Sequence, residues 1–436
     1  MQIRFQHVYP PDDNVACSTA WTFLATELYV PKTSIDEHRH ENVPMRRNDG
    51  VLSKEHDDNE TKSFSRWRSA MHVKLSRREA ITVLAGAGVA VSGGDAFAAA
   101  DESLGAIAAA NGFVFGAAAG PVIDKDLAYR ELYTRHTRIV TTDIALKMGT
   151  IAPQSGSKHF ESADRLLHFC ARNDIPMRGH CLIWNEWVPS WIKSMSVAER
   201  KRFFDEYIEE VVGRYEGKLQ SWDIVNEPFW PGHKAPGGYR LGPWYETFGT
   251  DYVRRAFQRA ALADKNTRFV LNEAQTERDD AVGRAVREGL LRLVDELKDA
   301  GVPLHAVGLQ GHLQPRYPYD AGRFAEFVHA LAERKVDIYV TEFDVRDDTF
   351  PDDIPTRDAM IADTAERFLS NVLSIAAVKM VIAWELADNY SFYTDAAKKK
   401  NPLAERLPRP LPFDDAMQKK PLWFAMARAF RNSKRT

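Results

Sequence analysis

Trp222–Pro228 reads WDIVNEP and Ile338–Asp344 reads IYVTEFD. Each begins as a short, mostly apolar run and ends in a glutamate beside further polar residues. Neither run alternates strictly between apolar and polar residues, which is typical of strands covered on both faces of a parallel sheet. The two segments therefore predict parallel strands whose carboxyl ends carry polar side chains.

Runs of the same kind recur along the chain and alternate with amphipathic segments. Val197–Tyr215 and Ala281–Ala300 have the apolar spacing of helices. Eight strand–helix units predict an α/β fold, a closed parallel (β/α)8 TIM barrel. An open doubly wound sheet is the alternative, although no GxGxxG or P-loop motif follows an early strand. The predicted strands are Phe113–Gly116, Arg138–Thr141, Met177–Trp184, Ser221–Asn226, Arg268–Asn272, Ala306–Gln310, Asp337–Glu342 and Met380–Trp384.

The length of 436 residues corresponds to three domains at about 150 residues each, but barrels of this type commonly exceed 250 residues. Residues 101–436 contain no Pro/Ser-rich linker, so we expect one catalytic domain there. A chain that is 44% hydrophobic and 27% charged has the composition of a globular protein with a large core. This composition excludes a disordered, collagen-like or coiled-coil protein.

The charge of the chain is nearly balanced, with 58 basic and 61 acidic residues. No sustained basic block is present, so we expect no nucleic-acid or membrane partner, and a neutral ligand is favoured. The three cysteines, Cys17, Cys170 and Cys181, are too few for a disulfide scaffold and lack zinc-ligand spacing. The cysteine pattern leaves open whether Cys170 and Cys181 pair.

An Ala/Gly-rich stretch, Ile81–Ala100, contains an apolar run too short to span a bilayer. It follows Ser76–Arg78, which reads SRR, and it includes Ala96–Ala98, which reads AFA. A basic region, an apolar region and a small-x-small cleavage site occur in this order in twin-arginine signal peptides. The segment therefore predicts export to the periplasm or the extracellular space by the twin-arginine route.

The position of this signal in the chain requires an explanation, since export signals lie at the N-terminus. Met71 stands directly ahead of it, and we interpret residues 71–100 as the signal peptide and residues 1–70 as an upstream extension that is not translated. The alternative is that Ile81–Ala100 forms a buried helix of an N-terminal domain.

Polar residues at the strand ends point to chemistry, because the carboxyl ends of barrel strands form the active face of this architecture. Glu227 ends the fourth predicted strand and Glu342 the seventh. We expect the two carboxyl groups to face each other across the barrel mouth, an arrangement suited to acid/base or nucleophilic chemistry. Taken singly, each glutamate could instead be a helix cap or an ion-pair partner.

Four sequence blocks, in order along the chain, are similar to the signature blocks of glycoside hydrolase family 10, the barrel-fold endo-β-1,4-xylanases. The blocks are Gly179–Trp184, Trp222–Pro228, Gly308–Leu313 and Val340–Asp344. Softer matches are Asp251–Phe257, Asn272-Glu273 and Pro412–Asp414 leading to Lys420-Pro421, so that the resemblance spans nearly all of 113–428.

The resemblance implies roles for residues at both strand ends. Glu227 matches the general acid/base and Glu342 the nucleophile of a retaining hydrolase, in which two carboxyl groups lie about 5–5.5 Å apart. The acid/base must keep its proton, which burial near a second carboxylate promotes, while hydrogen-bond donors keep the nucleophile ionised. His312, with Asp344 behind it, matches the pair that orients the nucleophile.

The resemblance also implies a polysaccharide substrate, xylan or a related β-1,4-glycan, with no metal or other cofactor and a monomeric enzyme. Asn226 matches the residue that binds the sugar 2-hydroxyl, and tryptophan faces pack on pyranose rings. The substrate-binding residues so implied are Asp143, Lys147, His180, Trp184, Asn185, Asn226, Gln310, Trp384 and Phe392.

The chain departs from the family pattern around the cleft. Asn185 and Trp187 replace the usual His and Gln, Glu385 stands where Gly is usual, and Phe392 replaces a tryptophan. The run Thr142–Met148, which reads TDIALKM, keeps the family's lysine but has Asp for Glu and Ile for Asn, so two polar contacts to the second sugar are in doubt.

Three other functions remain open. A metal-dependent barrel hydrolase would need a third ligand beside His180 and His312, and none is evident. A non-catalytic carbohydrate-binding barrel would lack one carboxylate of the pair. A β-1,4-glucanase or another β-glycosidase would keep the same two carboxyl groups, because substrate specificity depends on other contacts.

Overall fold

The computed structural model describes residues 102–435 of the chain. The segment interpreted as a signal peptide, residues 1–70 and Cys17 lie outside the described residues. The strands are β1 (Val114–Ala119), β2 (Val140–Thr142), β3 (Met177–Gly179), β4 (Ile183–Trp184), β5 (Ser221–Asn226), β6 (Arg268–Glu273), β7 (Ala306–Leu309), β8 (His312–Leu313), β9 (Asp337–Val345) and β10 (Val378–Ala383).

The helices alternate with these strands and surround them. They are α1 (Leu104–Ala110), α2 (Leu127–His136), α3 (Met148–Ile151), α4 (Glu161–Arg172), α5 (Ser190–Lys193), α6 (Val197–Arg214), α7 (Pro243–Phe248), α8 (Tyr252–Ala263), α9 (Ala281–Asp299), α10 (Ala321–Glu333), α11 (Ile354–Leu373), α12 (Phe392–Lys400) and α13 (Pro421–Asn432).

Within residues 102–435, eight parallel strands form a closed barrel in the order β1, β2, β3, β5, β6, β7, β9 and β10. The last strand pairs with the first, Val114 lying opposite Met380, and also with β9, so the sheet has no free edge. The predicted (β/α)8 barrel is confirmed, and the open doubly wound alternative is wrong.

The predicted third strand, Met177–Trp184, is wrong as one continuous strand. Between β3 and β4 the backbone leaves the ladder, and the N–H of His180 donates to Thr142 Oγ1 (2.8 Å) while that hydroxyl donates to the His180 carbonyl (2.9 Å). A side chain thus replaces a strand partner. The predicted sixth strand also ends early, at Leu309, and resumes as β8, because Gly311 takes a left-handed conformation between them (φ 75°).

Local signals set the helix limits. Ser196 accepts from the backbone N–H of Glu199, whose side chain accepts from the N–H of Ser196, and this capping box begins α6. The predicted helices over 197–215 and 281–300 each end one residue earlier, because Tyr215 and Ala300 are C-caps.

Apolar side chains inside and outside the barrel form the core. A distinct cluster of Ile139, Val270, Ala306, Tyr339, Met380 and Ile382 draws on strands around the barrel. Arg178 and Asp223, both fully buried, form an ion pair between β3 and β5. Paired charges of this kind avoid the large cost of burying either charge alone.

The cysteines and the lengths of the helices are two further features of the described residues. Cys170 and Cys181 are both buried free thiols, so they do not pair with each other. Among the helices of residues 102–435, none has the length and apolar character needed to cross a bilayer.

A buried carboxyl group joins the last strand to the start of the barrel. Glu385 lies two residues after the end of β10 and accepts from the backbone N–H of Gly120 (2.9 Å) and from the hydroxyls of Tyr129 (2.5 Å) and Tyr133 (2.9 Å) on α2. Burial, and then the nearby Asp143, raise the pKa of Glu385 to about 8, although the tyrosine contacts oppose this. The carboxyl is therefore largely protonated at neutral pH.

We expect this group to make stability depend on pH. Because Glu385 binds its proton more tightly in the folded chain than at its ordinary pKa of 4.5, its contribution is complete below pH 4.5 and is lost as pH rises through about 8. The free energy of unfolding of Glu385→Gln, relative to wild type, should therefore rise by up to about 1.4 kcal/mol per pH unit across that range. Urea unfolding at a series of pH values measures this difference.

The matched control is Glu131→Gln, which changes an exposed carboxyl group on the same helix as the two tyrosines. A constant difference between Glu385→Gln and wild type from pH 4.5 to 8 would contradict the expectation.

Candidate active site

The barrel brings Glu227 and Glu342 to the same mouth. Glu227 directly follows β5 in a left-handed conformation (φ 48°), and its N–H donates to the Asn272 carbonyl (2.8 Å). Glu342 lies in β9, and its N–H donates to the Gln310 carbonyl (2.8 Å). Neighbouring strands thus fix the backbone of both glutamates. Both side chains are almost fully buried.

Three hydrogen-bond donors surround the Glu227 carboxyl group. Gln310 Nε2 donates to Oε1 (2.9 Å), while Arg240 Nη2 (2.7 Å) and Trp184 Nε1 (3.2 Å) donate to Oε2. Arg240 also donates through Nε to the Glu227 carbonyl (2.9 Å). Both the side chain and the backbone of Glu227 are therefore fixed.

A different set of partners surrounds the Glu342 carboxyl group. Asn272 Nδ2 donates to Oε1 (2.7 Å), and His312 Nε2 lies 3.2 Å from Oε2. His312 Nδ1 lies 2.8 Å from Asp344 Oδ2, so the ring is held between two carboxyl groups. His180 Nδ1 is 3.8 Å from Glu342 Oε1 and 2.9 Å from Asp223 Oδ2.

Amide side chains connect the two carboxyl groups. Gln310 Nε2 contacts both Glu227 Oε1 and Asn226 Oδ1 (3.3 Å), and Asn272 Nδ2 contacts both Asn226 Oδ1 (2.9 Å) and Glu342 Oε1. The position of one glutamate therefore depends on that of the other. Gly308 makes room for this chain, since a Cβ there would lie 2.1 Å from Asn272 Oδ1.

The two carboxyl groups have opposite pKa shifts. Burial raises the pKa of Glu227, and the charge of Glu342 raises it further, although the Gln310 hydrogen bond and the two histidines oppose this. Burial would also raise the pKa of Glu342, but His180, His312 and Lys147 together lower it to about 2. At neutral pH the second carboxyl is ionised, and the first holds its proton more firmly than an exposed glutamate.

The two histidines supply positive charge on the Glu342 side. Burial lowers the pKa of His180, but Cys181, Glu342 and the Asp223 hydrogen bond raise it to about 10. Burial likewise lowers the pKa of His312, but Asp344 and Glu342 raise it well above its ordinary value. Both shifts favour the imidazolium form, in which the N–H groups donate to the carboxylates they contact.

Aromatic rings line the mouth around Lys147. Its Nζ lies 5.4, 5.2 and 5.6 Å from the ring centres of Trp184, Trp187 and Trp384, within range of cation–π attraction. Trp184 and Trp187 are stacked with an interplanar angle of 10°. Trp384 meets the His180 ring edge-on, at 5.1 Å between centres. The predicted residues Lys147, His180, Trp184 and Trp384 are thus brought together.

The other predicted substrate residues have different surroundings. Asp143 is partly exposed, with Oδ1 4.0 Å from Lys147 Nζ. Phe392 begins α12, and its ring packs on Tyr393, whose hydroxyl donates to Asp344 Oδ1 (3.4 Å). Asn185 Oδ1 accepts from the backbone N–H of Trp244 (3.0 Å), so that side chain holds the start of α7.

Asn272, Arg240 and Glu186 contribute to the site but were not among the predicted site residues. Asn272 had a signal, since it lies near the end of the fifth predicted strand beside Glu273. Arg240 and Glu186 lie in loops with no periodic pattern, and only the folded structure brings Arg240 to Glu227 and Glu186 to Arg240. In residues 102–435, no group of three or more His, Cys, Asp or Glu side chains has the arrangement of a metal site.

The chain is similar in sequence and fold to known proteins. The chain is 31% identical to a β-1,4-xylanase from Dictyoglomus thermophilum over 275 residues. The aligned region covers 61% of this chain and 75% of the relative. The structure resembles that of native xylanase 10B from Thermotoga maritima, with a TM-score of 0.68 and 26% identity over 76% of this chain and 98% of that one.

A second solved structure is xylanase 10B from Thermotoga petrophila in complex with xylobiose, with a TM-score of 0.68 and 25% identity over 77% of this chain and 98% of that one. The family model described as glycosyl hydrolase family 10 matches residues 103–429, which confirms the predicted resemblance. A match over most of the chain, with the same barrel, shows that the chain belongs to glycosyl hydrolase family 10.

Proposed function

We propose that the chain is an endo-acting hydrolase that cleaves β-1,4-xylosidic bonds in xylan with retention of configuration. The observation that carries the proposal is the pair of opposite pKa shifts at one barrel mouth, which keep Glu342 ionised and favour the protonated form of Glu227. Retaining hydrolysis needs these two states in the ground state. Relatives described as xylanases support xylan as the polymer.

In the first step Glu342 attacks the anomeric carbon, and Glu227 gives its proton to the departing glycosidic oxygen. The bond from the sugar to the leaving oxygen breaks as the bond to Glu342 forms. His312 and Asn272 hold the attacking carboxylate through one oxygen each, so its orientation is set before substrate binds.

In the second step Glu227, now a carboxylate, takes a proton from water, and the hydroxide displaces Glu342 from the anomeric carbon. Asn226, adjacent to Glu227, binds the 2-hydroxyl of the reacting sugar, and Trp184 and Trp384 form the walls against which its apolar face packs. The positive charges of His180 and Lys147 stabilise Glu342 again as it leaves.

The two roles are tested by Glu342→Gly and Glu227→Ala. Glu342→Gly should abolish hydrolysis of every substrate, since no covalent intermediate forms. Glu227→Ala should lower kcat/KM on xylan by about 10²–10⁴-fold but spare the first step for activated aryl glycosides, whose leaving group needs no proton. Added azide should give the retained β-azide with Glu227→Ala and the inverted azide with Glu342→Gly, as NMR of the products will show.

Glu333→Ala, an exposed carboxyl group on α10, is the matched control and should hydrolyse xylan at the wild-type rate. The reverse azide pattern would mean that the two roles are exchanged. Wild-type activity on cellulose that exceeds the activity on xylan would replace the proposed polymer with a β-1,4-glucan.

The site for the second sugar should be weaker than is usual in the family. Asp143 and Ile144 stand in place of Glu and Asn, and two lost hydrogen bonds at about 0.5–1.5 kcal/mol each correspond to roughly 10- to 100-fold. Extending an aryl xyloside to an aryl xylobioside should therefore raise kcat/KM less than in family members with the usual run, because remote binding energy supports the transition state.

A variant that restores the family's Glu and Asn at positions 143 and 144 must also have space for the longer side chain. Asp143 Oδ2 and Glu385 Oε1 lie 3.5 and 3.2 Å from the point where a Cβ on Gly120 would stand, so both carboxyl groups occupy the space beside Gly120 and removing Glu385 gives a longer side chain at 143 more room. Asp143→Glu with Ile144→Asn and Glu385→Gly should enlarge the xylobioside gain, and Glu385→Gly alone is the control. A large gain in the wild type, unchanged by the triple variant, would show that another residue holds the second sugar.

We also propose that the enzyme is exported, since its polymeric substrate lies outside the cell and the segment over 71–100 has the order of a twin-arginine signal. N-terminal sequencing of the protein secreted by its native host should find a first residue near Ala99. Recovery of Met1 on the active enzyme would contradict both export and the proposed start at Met71.

A further inference from the structure

Arg240 lies between two carboxyl groups, and only one of them belongs to the reaction described above. Its Nη2 donates to Glu227 Oε2 (2.7 Å), and its Nη1 donates to Glu186 Oε1. The guanidinium is almost fully buried, while the Glu186 side chain is 23% exposed. The backbone N–H of Arg240 donates to the Pro228 carbonyl (2.8 Å), and Cζ lies 4.6 Å from the Trp230 ring centre.

A buried cation in contact with the acid/base creates a conflict. An adjacent positive charge favours the carboxylate form of Glu227, whereas the first step needs the protonated form. When Glu227 holds its proton, Arg240 loses the charge of that partner, and leaving a buried charge uncompensated is unfavourable. Another negative group must therefore balance Arg240 in the resting enzyme.

Glu186 is the group that can balance it. Glu273 also lies near Arg240, but its Oε atoms accept from the backbone N–H groups of Phe229 (3.0 Å) and Ala274 (2.8 Å). Burial and then the charge of Glu227 raise the pKa of Glu273 well above its ordinary value, although Arg240 lowers it, and this favours the uncharged form of Glu273. Tyr252, another titratable group near Arg240, is neutral because burial raises its pKa.

We propose that Glu186 is a positioning residue that acts through Arg240 on the proton of Glu227. It keeps the guanidinium paired when Glu227 is protonated. Arg240 can then hold the acid/base in place without favouring the loss of its proton. When Glu227 becomes a carboxylate after the first step, Arg240 is shared between the two glutamates. The inference rests on the proposed role of Glu227 as acid/base.

Other charged groups face Glu227 and remain unchanged by substitutions at position 186. Glu342 raises the pKa of Glu227, while His312 and His180 lower it. Glu342 and His312 belong to strands and His180 to the break after β3, whereas the Arg240–Glu186 pair approaches Glu227 from the loops. A change at Glu186 alone therefore isolates the contribution of the pair.

The test is Glu186→Gln, which removes the charge and keeps the shape of the side chain. Arg240 then lacks the charge of Glu186, so the carboxylate of Glu227 is favoured, and the alkaline limb of kcat/KM on xylan should move down by about 1 pH unit or more. With a dinitrophenyl xylobioside, whose leaving group needs no proton, this limb should not move. Glu186→Asp keeps the charge and should restore most of the wild-type profile.

Glu246→Gln is the matched control, because Glu246 is a more exposed glutamate paired with another buried arginine, Arg200, at 3.8 Å. It should leave both pH profiles unchanged. Equal shifts of Glu186→Gln on both substrates, or none on xylan, would overturn the proposal.

A direct titration separates this proposal from the proposed function. In protein carrying ¹³C-labelled glutamate, the Glu227 carboxyl resonance, assigned by comparison with Glu227→Ala, reports its protonation without any substrate. Its midpoint should fall by about 1 pH unit in Glu186→Gln even if xylan is not the substrate. An unchanged midpoint would overturn the inference alone, whereas unchanged kinetics of Glu227→Ala would overturn the proposed function.

Discussion

The contact between His312 Nε2 and Glu342 Oε2 lets a carboxylate stay ionised where little water reaches it. Burial alone would drive both glutamates to their neutral forms, and both would then be acids. Because two imidazolium rings and Lys147 lie on the Glu342 side, the two carboxyl groups take different states. The ionised group in turn raises the pKa of its neighbour, so the asymmetry is self-reinforcing.

Interruptions of the strands supply those rings. His180 follows the end of β3, where Thr142 takes the place of a strand partner, and His312 follows the turn at Gly311. A regular strand would send successive side chains alternately inward and outward. The breaks allow a histidine to turn toward the barrel mouth while its second nitrogen or its backbone stays bonded to a neighbouring strand. Irregular backbone here is what assembles the charged site.

The sequence predicts what depends on local pattern and leaves out what depends on distant contacts. The number of barrel strands, the order of elements and the placing of Glu227 and Glu342 follow from apolar runs with polar ends. The strand break at His180 does not, because its cause is a hydroxyl on Thr142, 38 residues away. Nor does Arg240, which enters the site through a loop, or the use of Asn185 as a helix-holding amide. Such contacts exist only once the barrel has closed.

The tie between Glu385 and the two tyrosines of α2 spans more than 250 residues of chain. At the same end of the sequence, α13 packs against α1 and α11. During synthesis the first strands and helices therefore leave the ribosome while β1 still lacks its partner strand β10. The hydroxyls of Tyr129 and Tyr133 then bind water or other partners. The barrel can close only when the final strand and helix have emerged. A nascent chain of this protein therefore cannot bury its barrel interior until its last barrel strand has been synthesised.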